Sequence, residues 1–195
     1  MLDLTPDELL TTTRTVRKRL DFDKPVDRSV VEECMEIALQ APNGGNMNSW
    51  RWIAVDDPAL ISKIADIYNG GLDDYIATFG DAGYAGAAVP GADRIESSTQ
   101  HLRDNFHRCP VLVIPLLAGR TDGPGTNAFY QASIWGSALQ AVWSFMLALR
   151  ARGLGSAWTT GHLWREQELA ELLGIPYEGY MQAGIFPVAY TIGTD

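Results

Sequence analysis

The sequence is poor in cysteine: Cys34 and Cys109 are its only two, and they lie far apart in the chain. A Cys-x-x-Cys redox or metal motif and a disulfide framework are therefore excluded. Both cysteines lie among apolar residues, which predicts small core residues rather than nucleophiles. The N-terminal eight residues carry acids where a secretory signal carries bases, so we expect a reducing, cytoplasmic location.

Positive charge is scarce as well, with 15 Lys and Arg against 24 Asp and Glu and a formal net charge of -9. A general nucleic-acid binder needs a basic surface, so no nucleic-acid partner is expected. The few basic residues are distributed unevenly along the sequence. Six positions contain Arg14, Arg17, Lys18 and Arg19, whereas Lys63 is the only basic residue in the sequence from 53 to 93. This crowding is compatible with one local phosphate site.

Motifs for several kinds of chemistry are missing. The sequence has no G-x-G-x-x-G at a strand-to-helix turn, no phosphate-binding G-x-x-x-x-G-K-[ST] and no nucleophile elbow. His101, His107 and His162 lack the spacing of metal ligands. Catalytic acid–base and metal chemistry are therefore not indicated, which favours a cofactor that performs the chemistry itself.

Charge is absent from residues 126–149, a stretch long enough to cross a bilayer. Amides and hydroxyls recur through it, including Asn127, Gln131, Ser133 and Gln140. A lipid-facing helix rarely carries so many polar groups. We therefore predict a helix buried in a core or between subunits, and no membrane partner.

What is present suits a single domain over residues 1–195, with 46% hydrophobic and 20% charged residues. About six helices and four strands interleave irregularly, which favours an α+β fold with a mixed sheet over a wound parallel one. Residues 69–92 are rich in Gly, Ala and Asp and are predicted to form a lid or irregular insertion. The patterns predict helices at 6–13, 27–41, 57–68, 93–105, 126–149 and 165–173, and strands at 51–55, 110–117, 156–161 and 181–190.

Three segments carry candidate binding chemistry. In Arg14-Thr15-Val16-Arg17, two guanidiniums and a hydroxyl can converge on one small anion, although a solvated helix end is the alternative and fits Lys18 and Arg19. The turn formed by Pro42, Asn43, Gly44, Gly45 and Asn46 brings backbone and amides close to a flat ligand, or is only a turn. After Gly153-Leu154-Gly155, the strand with Thr159, Thr160 and Gly161 can present N–H groups to a ring nitrogen.

The order and spacing of these segments resemble the nitroreductase family over residues 10–190. The matching marks are Thr13-Arg14-Thr15-Val16-Arg17, the Ala41-Pro42-Asn43 turn leading to Trp50, the Gly-Leu-Gly-Ser at 153–156 and the Leu-Gly-Ile-Pro at 173–176. Thr13, Asn48 and Ser49 stand where the family usually has Arg, Gln and Pro.

The resemblance implies an α+β three-layer sandwich, with a mixed and mostly antiparallel sheet flanked by helices, that forms a homodimer with FMN at its interface. It places Arg14, Thr15 and Arg17 at the phosphate and ribityl chain, and the backbone near Thr159, Thr160 and Gly161 at flavin N5. Pro42, Asn43, Gly44 and Asn46 would lie against the flavin.

The implied activity is ping-pong reduction of nitroaromatics, quinones or similar small molecules, with NADPH or NADH as donor and no catalytic side chain. Two alternatives remain: a protein that stores FMN without turnover, and a specialised member that fragments flavin or removes halogen. Trp50, Trp52 and Phe129 are possible stacking groups, and we expect two of these three to be core residues.

Overall fold

The computed structural model describes residues 1–80 and 90–193. In these residues six helices and six strands form the predicted α+β fold, with two strands more than the four or so that the sequence predicts. The helices are α1 (Pro6–Thr12), α2 (Arg28–Ala38), α3 (Pro58–Phe79), α4 (Ala92–Asn105), α5 (Ala128–Ala151) and α6 (Glu166–Leu173). The strands are β1 (Leu20–Asp21), β2 (Trp50–Val55), β3 (Val111–Ala118), β4 (Leu154–Ser156), β5 (Tyr180–Gln182) and β6 (Phe186–Thr191).

The strands form one sheet in the order β1-β6-β3-β2, with β4 paired to β6 and β5 to β3. Every pairing between these strands is antiparallel. Strand β3 shows how the layers arise, because its side chains alternate between two faces. Leu112, Ile114 and Leu116 face a core shared with α3, α4 and α6, whereas Val111 and Val113 face a core shared with α2 and α5.

Helix α1 begins where its capping signal predicts. The Thr5 hydroxyl accepts a hydrogen bond from the Glu8 N–H at 3.2 Å, and the Glu8 carboxylate accepts one from the Thr5 N–H at 2.8 Å. These bonds satisfy N–H groups that have no partner inside the helix. The helix ends at Thr12, so the Arg segment that follows is not helical.

Helix α3 is much longer than predicted. The expected end near Tyr68 and the irregular start of a lid at residue 69 are wrong, because the helix continues to Phe79. Gly70 and Gly71 weaken helix propensity, but packing overrides that weakness. Residues 81–89 lie outside the described part of the chain, so a lid there stays a prediction.

The predicted strand 181–190 is two strands, β5 and β6, separated by residues 183–185. A Cβ at Gly184 would lie 2.4 Å from Trp158 Nε1, and that nitrogen donates to the Ala183 carbonyl at 2.9 Å.

The strand predicted after Gly155 ends at Ser156. Beyond it, Thr159 forms an isolated bridge with Ile185, and a 3-10 turn follows over Gly161–Arg165.

Helix α5 contains the uncharged stretch that the composition predicts to be helical, and Arg150 lies in its last turn. Its length and composition would suit a membrane span, but it packs against α2, β3 and β4. Ala141, Phe145 and Leu149 are buried on that side. The opposite side includes Leu139 and Trp143, which are exposed in a single chain.

Candidate functional site

A cavity of about 360 Å³, which we call the main cavity because the predicted residues 159–161 line it, lies between α3, α4 and residues 158–164. Among the described residues, its walls are mostly aromatic and apolar, and Arg17 is the one charged side chain that lines it. A flat ring with polar edges suits such walls. The lining residues are Arg17, Tyr68, Leu72, Tyr75, Ile95, Thr99, Trp158, Thr159, Thr160, Gly161 and Trp164.

One wall of this cavity, residues 159–161, has backbone donors to offer. Thr159 is anchored to Ile185, since its N–H and its hydroxyl donate to the Ile185 carbonyl at 3.1 and 2.7 Å. The hydrogen bonds between described residues leave the N–H groups of Thr160 and Gly161 without an acceptor. Two adjacent N–H groups at a cavity wall can bind a ring nitrogen or carbonyl oxygen of a ligand.

Helix α3 holds this wall by close backbone contact. A Cβ at Gly71 would lie 2.2 Å from the Gly161 carbonyl oxygen, so only glycine allows the helix and the wall to approach this far. Next to it, the Arg165 guanidinium donates to both carboxylate oxygens of Asp74, at 2.6 and 3.1 Å. These hydrogen bonds lower the pKa of Asp74.

A basic groove of about 590 Å³ adjoins the main cavity and shares Arg17 with it. Helix α4 forms its other side: Arg17 donates to the Ser98 hydroxyl at 3.3 Å, and Lys18 donates to the Ser97 hydroxyl at 2.6 Å. Four cations face one carboxylate there, which favours an anion. The groove is lined by Thr15, Val16, Arg17, Lys18, Arg19, Asp93, Arg94, Ser97 and Ser98.

Arg14 lies elsewhere, in a small cavity of about 20 Å³ with Arg19 and Arg150. The buried Ser156 hydroxyl also lines this cavity and has no hydrogen-bond partner among the described residues. Residues three apart share a face in a helix, but α1 has already ended, so Arg14 and Arg17 point into different spaces. The structure thus brings Thr15 and Arg17 together and places Arg14 apart from them.

The asparagine turn, residues 42–46, does not line the main cavity or the basic groove of the same chain. Asn43 is bound to Asn48 twice: its amide nitrogen donates to Asn48 Oδ1 at 3.0 Å, and its amide oxygen accepts from the Asn48 N–H at 2.9 Å. The Gly44 N–H donates to the Ser137 hydroxyl on α5 at 2.9 Å. Pro42, Gly44 and Asn46 are exposed.

Several lining residues escaped prediction from sequence because they lie on α3 and α4, in or beside the segment expected to be irregular. Tyr68, Leu72, Tyr75 and Phe79 recur at spacings of four, three and four residues. That spacing is a helical stripe and was the available signal. Ile95 and Thr99, four apart on α4, carried no comparable signal.

The aromatic and cysteine predictions are confirmed. Trp50 is buried, Trp52 packs with its ring centroid 5.3 Å from that of Phe145, and Phe129 is exposed.

Both cysteines are buried, and burial raises the pKa of the Cys34 thiol to about 11 and that of Cys109 to about 12. Neither thiol is a nucleophile near neutral pH.

Comparison with known proteins identifies the family of the chain. The chain matches the nitroreductase family over residues 10–190, and it belongs to that family. It is 26% identical over 157 residues to a 5,6-dimethylbenzimidazole synthase of Rhodospirillum rubrum. The matched region covers 79% of this chain and 68% of that protein. The resemblance drawn from the sequence motifs is thereby confirmed.

Solved structures share the fold. A BluB-like flavoprotein from Clostridium difficile 630 superposes with a TM-score of 0.72 at 15% identity, covering 97% of this chain and 91% of that one. An iodotyrosine deiodinase bound to FMN and 3-iodo-L-tyrosine gives the same TM-score and coverage at 22% identity. An FMN and NADPH-dependent nitroreductase from a sphigopyxis strain gives 0.67 at 19% identity, covering 96% and 89%.

Proposed function

We propose that this protein binds FMN and acts as an NAD(P)H-dependent oxidoreductase toward electron-poor small molecules such as nitroaromatics and quinones. FMN, when bound, would supply the redox chemistry, which is electron transfer from NADH or NADPH to an acceptor that binds in the same place. The protein's part is to bind, orient and shield the reacting rings. Catalytic acid–base side chains are not needed for this role.

One observation carries the proposal. Arg17 and two backbone N–H groups that have no acceptor among the described residues, those of Thr160 and Gly161, line the same aromatic cavity. An isoalloxazine ring is flat, apolar on its faces and polar along one edge, so it matches these walls. Thr160 and Gly161 would donate to its N5 region, and Arg17 would balance negative charge that develops on the ring during reduction. The basic groove beside Arg17 would take the ribityl phosphate, with Thr15 adding a hydroxyl donor.

The asparagine turn enters this proposal through a second copy of the chain. Pro42, Asn43, Gly44 and Asn46 are outside the main cavity of their own chain, but they lie beside α5, which exposes uncharged residues. In a homodimer packed through α5, this turn would approach the flavin held by the other subunit. Arg14 is assigned to the phosphate only if its side chain leaves the small cavity.

The test is the visible spectrum of protein purified with FMN, recorded without oxygen before and after NADPH or NADH. We expect a bound-flavin spectrum that bleaches with at least one donor and returns with a nitroaromatic or quinone. Flavin that is retained but never bleached would favour the storage interpretation. A colourless protein whose melting temperature does not rise with added FMN would contradict flavin binding altogether.

A second candidate function is conversion of FMN itself to 5,6-dimethylbenzimidazole. The 26% identity to a protein of that name over 79% of this chain supports it. Incubation of the FMN-loaded protein with NADPH and oxygen, followed by mass spectrometry, distinguishes the two functions. Loss of FMN with appearance of the benzimidazole mass supports conversion, whereas intact FMN with a reduced acceptor supports the oxidoreductase.

A further inference from the structure

Among the residues that the structure describes, Tyr75, Phe79 and Trp164 bring three aromatic rings together beside the main cavity, and we call them the ring cluster. The Trp164 centroid lies 5.9 Å from those of Tyr75 and Phe79, in edge-to-face arrangements, and the Tyr75 and Phe79 centroids are 5.3 Å apart. Tyr75 and Trp164 line the cavity, while Phe79 is 56% exposed and Trp164 44% exposed. The cluster therefore stands where the cavity meets solvent.

The position of these rings is fixed by their neighbours in the chain. Asp74 precedes Tyr75 on α3, and Arg165 follows Trp164 in the 3-10 turn. Their two hydrogen bonds, at 2.6 and 3.1 Å, tie the helix to the turn and so hold Tyr75 and Trp164 at a set separation. Side chains that are already ordered lose little freedom when a ligand stacks on them.

The ring cluster differs from ordinary core packing because it leaves large apolar rings in water. Its Trp164 lies three residues beyond Gly161, which lines the main cavity and whose N–H has no acceptor among the described residues. A molecule that receives electrons from the cofactor must come into contact with it, and the ring cluster flanks that approach.

The electronic character of the cluster indicates what kind of molecule it suits. Trp and Tyr have electron-rich ring faces, which attract the electron-poor faces of nitroaromatic and quinone rings. The nearby charges offer little to a charged ligand: Asp74 is paired with Arg165, and Asp73 with Arg103. Arg17, the charged lining residue, belongs to the cofactor end of the cavity.

We propose that Tyr75, Phe79 and Trp164 form the acceptor subsite, which selects a planar, electron-poor aromatic acceptor by stacking. This proposal rests on the proposed function, since it assumes FMN in the main cavity. It assigns the choice of acceptor to α3 and the turn Gly161–Arg165, neither of which includes a residue predicted to bind the phosphate.

The test uses FMN-loaded protein carrying Trp164→Ala, with Leu10→Ala on α1 as a control that also trims an exposed apolar side chain. Bound FMN is measured first. Nitrobenzene is then titrated into the oxidised protein without any nicotinamide donor, so that binding is observed without turnover. Steady-state rates are measured with nitrobenzene and, separately, with ferricyanide, a small inorganic oxidant that cannot stack.

We expect Trp164→Ala to raise the nitrobenzene Kd and KM about tenfold, as suits the loss of a stacking ring. Trp164→Phe should recover most of the nitrobenzene affinity, whereas the control Leu10→Ala should leave nitrobenzene affinity, FMN affinity and the ferricyanide rate unchanged. Phe79→Ala changes a more exposed position and should also raise the nitrobenzene Kd and KM. It therefore tests the proposal even if Trp164→Ala folds poorly.

Unchanged nitrobenzene affinity in both alanine variants would overturn the proposal. Loss of FMN affinity in place of nitrobenzene affinity would also overturn it, because the rings would then cover the cofactor. Parent protein that binds no FMN would contradict the proposed function itself, and the initial FMN measurement separates that outcome from the other two.

Discussion

At the residue scale, Arg17 has the largest share of the proposed site, because it lines both the main cavity and the basic groove. We expect Arg17→Ala to weaken FMN binding by about 1.5–3 kcal/mol, the range for a hydrogen bond to a charged group. Fluorescence titration of free FMN measures this change. Arg14→Ala is the matched control, and we expect a smaller loss because Arg14 faces a different cavity. A larger loss for Arg14→Ala would reverse the assignment.

His162 gives a prediction about pH. The side chain is fully buried, its ring nitrogens have no partner among the described residues, and burial lowers its pKa from 6.5 to about 3. Below pH 6.5 the unfolded chain takes up a proton that the folded chain refuses, so the free energy of unfolding falls as pH falls. The contribution is about 1.4 kcal/mol per pH unit down to about pH 3.

Urea unfolding at pH 7.5 and pH 5 checks this, with His162→Leu for comparison. The wild type should lose about 2 kcal/mol more than the variant between these two pH values, because 1.5 pH units lie below the unfolded pKa. His101 and His107 remain in both proteins and cancel in the difference. Equal losses in the two proteins would show that His162 becomes protonated in the folded state.

At the scale of elements, the contact between α3 and the turn Gly161–Arg165 positions the cavity wall. Gly71→Ala would place a methyl group 2.2 Å from the Gly161 carbonyl oxygen, and backbone cannot move aside as a side chain can. We expect a loss of about 1–3 kcal/mol in unfolding free energy, as for overpacked cores, and weaker FMN binding. Thermal unfolding and FMN titration measure the two effects.

Gly70→Ala provides the control, because the three atoms nearest to its new methyl group all belong to the Arg165 guanidinium, with Nη1 at 2.2 Å. That group ends a flexible side chain and can shift, and alanine raises helix propensity. We therefore expect little change in FMN affinity for Gly70→Ala. Similar FMN losses in both variants would mean that Arg165, rather than the wall backbone, controls the site.

The same contact explains which elements were predictable from sequence. Helix α1 and strand β3 follow from local signals, the capping box at Thr5 and a continuous apolar run. Helix α3 was predicted too short because Gly70 and Gly71 look like a helix end in isolation. Gly71 is required to be glycine by its contact with the Gly161 carbonyl, 90 residues away in the chain, and such a pairing is invisible in local patterns.

The candidate site was predictable to a similar degree. Motif spacing identified Arg17 and the wall at residues 159–161, which share the main cavity. It also grouped Arg14 with Arg17, but α1 ends before both residues and their side chains line different cavities. The walls contributed by Tyr75, Ile95 and Trp164 depend on how α3, α4 and the turn pack together, so no single segment reveals them.

At the scale of the whole molecule, α5 leaves one face without a partner in a single chain. Leu139 and Trp143 are 43% and 41% exposed there, and a Cβ at Gly136 would meet nothing within 4 Å. Glycine inside a helix costs about 1 kcal/mol relative to alanine, and close approach of another helix gives a reason for it. This uncharged face, together with the asparagine turn beside it, supports the proposed homodimer.

Leu139→Glu tests the dimer and the shared site together. A carboxylate on this face would be buried against its own copy in a dimer, so we expect a monomer by light scattering at concentrations where the wild type is dimeric. If the asparagine turn of one subunit completes the flavin site of the other, the monomer should also bind FMN more weakly. Leu10→Glu, an equally exposed position on α1, should change neither property. A variant that becomes monomeric yet keeps full FMN affinity would show that one chain holds the cofactor alone, and the asparagine turn would then have no role in binding it.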